Sequence, residues 1–143
     1  MSQVGDPLYR KDLLRLAADA RGAGRLSAPD ATATVHNPAC GDRVTVDLAL
    51  TDGRIAALAH HTHACVLAQA SAAILADAAI GMDAAALATL ASDVRTMLKD
   101  HAPPPHPVYG VFDGVADHSG RHTCVLLPIA AAIKALETRE EGR

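Results

Sequence analysis

An α+β fold, a small three-stranded antiparallel sheet packed with about four helices, is predicted by three features of the chain. Residues 44–50 alternate in polarity ahead of Thr51-Asp52-Gly53-Arg54, a run rich in Ala, Leu and Ile without Gly or Pro extends from Cys65 to Ile80, and prolines interrupt the chain at 103–107. Alternation beside an Asp-Gly dipeptide marks paired strands, whereas an unbroken run of good helix formers marks a helix. Strands grouped ahead of helices favour a sheet covered by helices.

Each element has a local reason. Pro7 suits a helix start, and Leu8, Leu13, Leu14 and Leu16 recur at near-helical spacing until Gly22 and Gly24, predicting a helix from about Pro7 to Arg21. Thr32–His36, Val44–Leu50 and Ile55–His61 read as three strands, the last two joined at Asp52-Gly53. The helix from Cys65 to Ile80 stops at Gly81, the residue best suited to a left-handed terminus. Asp83 then caps a helix to about Asp100. Successive prolines lack amide donors, so about 101–120 is expected to be a loop. A last helix covers His122 to Glu137 through Cys124, Leu127, Ala131 and Leu136, with Pro128 tolerable only near its first turn, and residues 138–143 form a frayed tail. The whole, 1–143, is expected to be one domain.

Composition narrows the function classes. Half the 143 residues are apolar, but with one Phe, two Tyr and no Trp the core is expected to rest on Leu, Ile and Val with closely approaching helices. A net charge of -3 with scattered Lys and Arg argues against nucleic-acid binding and anionic membranes. No stretch reaches the length of apolar residues that a membrane span needs, and charges at Asp6, Arg10, Lys11, Asp12, Arg15 and Asp19 argue against a signal peptide. A cytoplasmic location, with reduced thiols, is the expectation.

The thiols then become the main chemical signal. Cys40, Cys65 and Cys124 cannot all pair as disulfides, but three thiolates with one further ligand make a tetrahedral metal site. All three fall at predicted element ends, and a helix N-terminus beside Cys65 and Cys124 favours their thiolate forms. Asp42, separated from Cys40 by Gly41, is the expected fourth ligand. A buried cysteine without chemistry is common, and Cys-Gly-Asp also makes an ordinary turn. Alternation puts His61 and His63 on one strand face and His60 on the other, with one side solvated. His101, His106 and His118 are expected on the surface, while His122, two residues before Cys124, is a weaker ligand candidate than Asp42.

The hexapeptide Asn37-Pro38-Ala39-Cys40-Gly41-Asp42, Cys65 followed by Ala70-Ser71-Ala72, and Cys124 followed by Leu127 resemble the U-type iron-sulfur cluster assembly scaffolds, IscU, SufU and the N-terminal domain of NifU. Leu8-Tyr9 and Gly24-x-Leu26 extend the resemblance, which runs from about Leu8 to Leu136. It implies that Cys40, Asp42, Cys65 and Cys124 bind a transient [2Fe-2S] cluster or Zn2+, with a cysteine desulfurase as sulfur donor and apo iron-sulfur proteins as recipients. Cys124 is the expected persulfide acceptor. The chain departs from the family pattern at His60-His61-Thr62-His63-Ala64 and at Thr123, and the segment 101–120 resembles the SufU-like insertion. It lacks a Leu-Pro-Pro-Val-Lys motif, so a dedicated Hsp70 chaperone is not supported. The competing functions are a zinc-dependent persulfide sulfurtransferase that builds no cluster and a structural zinc or interaction module.

Overall fold

The structure is a computed structural model that describes residues 10–38 and 41–141. Its order is α1 (Lys11–Asp19), β1 (Ala31–Asn37), β2 (Asp42–Thr51), β3 (Arg54–His63), α2 (Val66–Ala78), α3 (Ala84–Asp100), two 3-10 segments (Pro107–Val115 and Ser119–Arg121) and α4 (His122–Glu141). The three strands form one antiparallel sheet, as the sequence predicts, and their order is β1-β2-β3.

Helices cover one face of this sheet. Val44, Val46 and Leu48 of β2 are fully buried and lie opposite Val35, Ala33 and Ala31 of β1 and Thr62, His60 and Leu58 of β3. α4 packs across β1 and β2, α2 packs on β3 between α1 and α4, and α3 packs on α4. Leu67, Ala68, Ala70, Ser71 and the run Ala72–Ala76 are all buried, as a helix enclosed on all sides requires. Thr51 pairs with Arg54 around Asp52 and Gly53, both at positive φ, so the β2–β3 link is the two-residue turn that an Asp-Gly pair supplies.

Among the described residues, the opposite face is covered only where the 20–30 segment folds onto it and onto the edge of β3. Asp47 is fully buried there and accepts hydrogen bonds from Arg25 Nε at 2.7 Å and Nη2 at 3.0 Å, from the Leu26 amide at 3.1 Å and from Thr32 Oγ1 at 2.6 Å. Gly22 and Gly24 run beside β3, exchanging backbone bonds with His60 at 2.9 and 2.8 Å. A Cβ on Gly22 would lie 2.6 Å from the Cβ of Ala76, so only glycine permits this approach, at φ +80. His60 itself is buried. Its Nε2 lies 2.9 Å from the Arg21 carbonyl, which can only accept, so Nε2 carries the proton and Nδ1 accepts from Thr62 Oγ1 at 2.8 Å. Burial disfavours the charged imidazole and lowers its pKa.

Five expectations are corrected. α1 begins at Lys11 and ends at Asp19, before the expected Arg21, because Ala20 adopts left-handed geometry; Pro7 and Leu8 lie outside the described residues. The expected loop over 101–120 contains two 3-10 segments, started where Pro107 occupies an early position and the His106 side chain accepts from the Val108 amide. This stretch also supplies Tyr109, Val111, Phe112 and Val115 to the core, and Tyr109 and Phe112 are the largest fully buried side chains. The core therefore rests on two aromatic residues as well as on aliphatic ones. Finally, α4 continues to Glu141, so the expected tail is helical as far as that residue, and Pro128 sits inside the helix, beyond its first turn. Pro128 has no N–H to give the carbonyl four residues before it, and burial of its ring against the core offsets the loss.

Two outcomes follow from this packing. The Arg25 hydrogen bond is the largest influence holding the Asp47 carboxyl below its ordinary range, with Thr32 and Leu26 adding to it and burial opposing it. A depressed folded-state pKa contributes stability that is present above the unfolded value and is lost as pH falls through the folded one. Urea midpoints should accordingly fall as pH drops below about 4, and Asp47→Ala should cost about 2 kcal/mol or more at neutral pH and flatten that acid dependence. The Tyr109 hydroxyl is buried without a hydrogen-bond partner among the described residues, and burial raises its pKa. Tyr109→Phe removes an unsatisfied group at constant shape, so thermal unfolding should show a change between zero and about +1 kcal/mol, never a large loss.

Candidate metal centre

Three element ends meet at one end of the sheet. Asp42 opens β2 opposite Asn37, the last residue of β1, and the Gly41 amide donates to the Asn37 carbonyl at 2.8 Å with Gly41 at φ +74. This turn sets the strand phase, so Asp42 shares the helix-covered face with Val44 and Val46. Cys65 is the residue before the first turn of α2, in extended geometry, and its side chain makes no capping bond. The carbonyl of Ala64 just before it accepts from Gln69 Nε2 at 3.1 Å, and the Cys65 carbonyl accepts from the Gln69 amide at 3.0 Å. Both bonds fix the turn from β3 into α2.

Cys124 is the third residue of α4 and is buried, whereas Cys65 is partly exposed. Around it, the Ser71 hydroxyl of α2 donates to the Val125 carbonyl at 2.5 Å. That bond ties the start of α4 to the middle of α2. The ligand atoms of Asp42, Cys65 and Cys124 all lie within 4.8 Å of one another.

The donor set fits a thiophilic metal. Thiolates are soft ligands suited to zinc and to iron-sulfur centres, and a carboxylate oxygen completes such sets. Asp42 Oδ2 is buried with no hydrogen-bond partner among the described residues, an arrangement costly for a carboxylate unless a cation or donor meets it. With bonds of about 2.0–2.3 Å, tetrahedral ligand atoms stand about 3.3–3.8 Å apart, so closing this group around one ion needs a contraction of no more than about 1–1.5 Å.

The structure thus brings together three of the four residues singled out in the sequence. Cys40 lies outside the described residues. His122 does not join the group: its Nε2 donates to the Ala116 carbonyl at 3.1 Å, which draws the ring toward the 3-10 segments. His61 and His63 are exposed and His60 buried, following the predicted alternation. Among the surface histidines, His101 lies 3.5 Å from Asp117 and His106 caps its own segment. The role of Ser71 and Gln69 in setting the cysteine-bearing turns was not foreseen. Helical phase alone places both on α2, but only the docking of α2 against α4 and the end of β3 gives them partners.

The chain resembles known proteins in sequence and fold. A family model described as the NifU-like N terminal domain matches residues 8–116. A crystal structure of a nitrogen-fixing NifU-like protein, N-terminal part, from Brucella abortus is 34% identical, with a TM-score of 0.85 over 99% of this chain and 100% of that one. A protein described as an iron-sulfur cluster assembly scaffold for the SUF system, from the thermophile Fervidobacterium islandicum AW-1, is 20% identical with a TM-score of 0.79, covering 92% of this chain and 98% of that one, and supports the fold. No curated protein sequence matches. No helix among the described residues is long and apolar enough to cross a membrane. With the family model matching well over half its length and the Brucella structure aligned through α4, the chain is a member of the NifU-like N-terminal domain family.

Proposed function

We propose that the protein is an iron-sulfur cluster assembly scaffold, holding iron and sulfide on Cys40, Asp42, Cys65 and Cys124 and passing the product to apo-proteins. The observation that carries this reading is the convergence of Asp42, Cys65 and Cys124, with a buried carboxylate oxygen that has no partner among the described residues, in a chain of this family. A scaffold must bind its cargo firmly enough to assemble it and loosely enough to release it. Soft thiolates supply the firmness, and the hard Asp42 oxygen is the ligand that opens.

Sulfur would arrive as persulfide from a cysteine desulfurase. A thiolate of this chain attacks the outer sulfur of the donor's persulfide, the donor's S–S bond breaks, and the donor cysteine leaves as thiolate. Cys124 is assigned as that acceptor. It is buried in the arrangement described, so it becomes reachable when a ligand is exchanged, whereas Cys65 is already partly exposed.

Anaerobically purified protein, analysed for zinc and iron and followed by ultraviolet-visible spectra on adding iron, cysteine and a cysteine desulfurase, tests the reading. A cluster that forms and then passes to an apo-ferredoxin supports it. Tightly held zinc with persulfide uptake and no cluster would replace it with the sulfurtransferase.

Two variants sharpen the outcome. Asp42→Ala should prolong the life of the assembled cluster at least about threefold, by removing the weakest ligand; faster loss than in the parent would sink the release role of Asp42. Cys124→Ser should abolish persulfide labelling by mass spectrometry while Cys65→Ser retains it, and the reverse pattern would move the acceptor to Cys65. Chelation bears on the structural-zinc alternative. The described core takes side chains from every strand and α-helix, so the metal-free chain should keep its helical circular dichroism, whereas unfolding on chelation would mark a structural site.

A further inference from the structure

Beside the candidate centre, the open face of the sheet ends in a row of side chains that no described residue bonds. His36 of β1 lies opposite Arg43 of β2, and Arg43 lies opposite His63 of β3. Imidazole, guanidinium and imidazole thus stand side by side across all three strands, with Cβ atoms of opposed residues about 4.5–5.5 Å apart. His61 joins them on the same face, one row further along β3. The identity of this face is fixed by its neighbours, since Thr34 and Thr45 bond across it at 2.8 Å and Thr32 bonds Asp47.

All four side chains are exposed. None of them has a side-chain hydrogen bond or ion pair among the described residues, whereas Arg10, Arg21, Arg25 and Arg54 are all engaged. The same end of the face carries no exposed carboxylate among the described residues: Asp42 belongs to the helix-covered face, and Asp47 is buried beneath Arg25. In a chain of net charge -3, this is a local excess of positive charge and N–H donors.

The chemistry of the row selects its ligand. A guanidinium offers parallel N–H groups that match a carboxylate, and an imidazole on either side adds further donors. A metal ion held by His61 and His63 would instead sit beside the permanent charge of Arg43 and be repelled. Position selects the source. Arg43 directly follows Asp42 and His63 stands two residues before Cys65, so a macromolecule reaching the centre, with a footprint of about 800 Å² on each side, would cover the row as well.

We propose that His36, Arg43, His61 and His63 form the docking surface for an acidic segment of a protein partner, whose aspartate or glutamate side chains lie across the open face and bring its reactive group to the end of the sheet. This rests on the reading that a partner delivers sulfur to, or takes a cluster from, the neighbouring centre. The charge on the row speeds encounter and selects partners, while the centre performs the exchange.

The test uses the full chain loaded with zinc and labelled for NMR. It is titrated at fixed ionic strength with a peptide of alternating Glu and Ala, with the same peptide carrying Gln for Glu, and with citrate. The Glu peptide should move signals of His36, Arg43, His61 and His63, and Arg43→Glu should weaken it about three- to tenfold without changing the zinc content. Equal binding of the Gln peptide, undiminished binding to Arg43→Glu, or citrate matching the peptide at the same residues would overturn the proposal, the last by making this a small-anion site. Sulfur transfer from a cysteine desulfurase separates the two readings. If the parent accepts sulfur, Arg43→Glu should raise the KM for the desulfurase with little change in the maximal rate, and an unchanged KM would overturn the surface. If the parent accepts none, the scaffold reading fails and the peptide titration still decides the surface.

Discussion

A slip of one residue in β2 would carry Asp42 away from Cys65 and Cys124 and turn Arg43 toward the helices, because side chains alternate across a strand. The register is held from both faces. On the covered face, Val44, Val46 and Leu48 are fully buried, and turning them to solvent would forfeit about 1.5–3 kcal/mol for each. On the open face, Asp47 meets Arg25, Leu26 and Thr32 in one geometry only. At the end of the strand, the Asn37–Asp42 pairing and the Gly41 turn transmit this phase to the centre. Adjacent residues of one strand therefore face two different environments, one thiol-lined and one cationic.

The helices position the remaining ligands. α2 is small-sided enough to sit between α1, α4 and β3, and the close approach lets Ser71 reach the Val125 carbonyl within α4. Cys65 and Cys124 sit near the N-terminal ends of these two helices, so the same packing that fills the core sets their separation. Domain stability is a small difference between large terms, and a buried carboxylate oxygen with no partner among the described residues is a cost that the rest of the fold must offset. Such local costs are expected at functional sites.

Much of this was legible in the chain. The three strands, their antiparallel pairing, the Asp52-Gly53 hairpin, the Asp83 cap and the helices after Cys65 and before Glu137 all rest on local patterns with short-range causes. The pairing of Asp42 with two cysteines as one group also followed from residue chemistry at predicted element ends. The 107–115 segment was hidden because the prolines before it dominate local propensity. Its Tyr109 and Phe112 reveal themselves as core only when α1, α2 and α3 supply the surfaces they fill. Pro128 misled in the same way, since burial against the core offsets a missing helical hydrogen bond that propensity counts in full.

The sequence by itself determined which residues alternate, which turn and which cap, and so it determined the fold class and the residue types available for metal chemistry. Only the tertiary structure decided what those residues meet. It decided that His60 is buried against Arg21 while His61 and His63 are exposed beside Arg43, that His122 turns to Ala116 and away from the thiols, and that one Asp42 oxygen is buried without a partner among the described residues. The reason is physical: periodicity is a property of neighbours along the chain, whereas partners come from packing between segments that are distant in sequence.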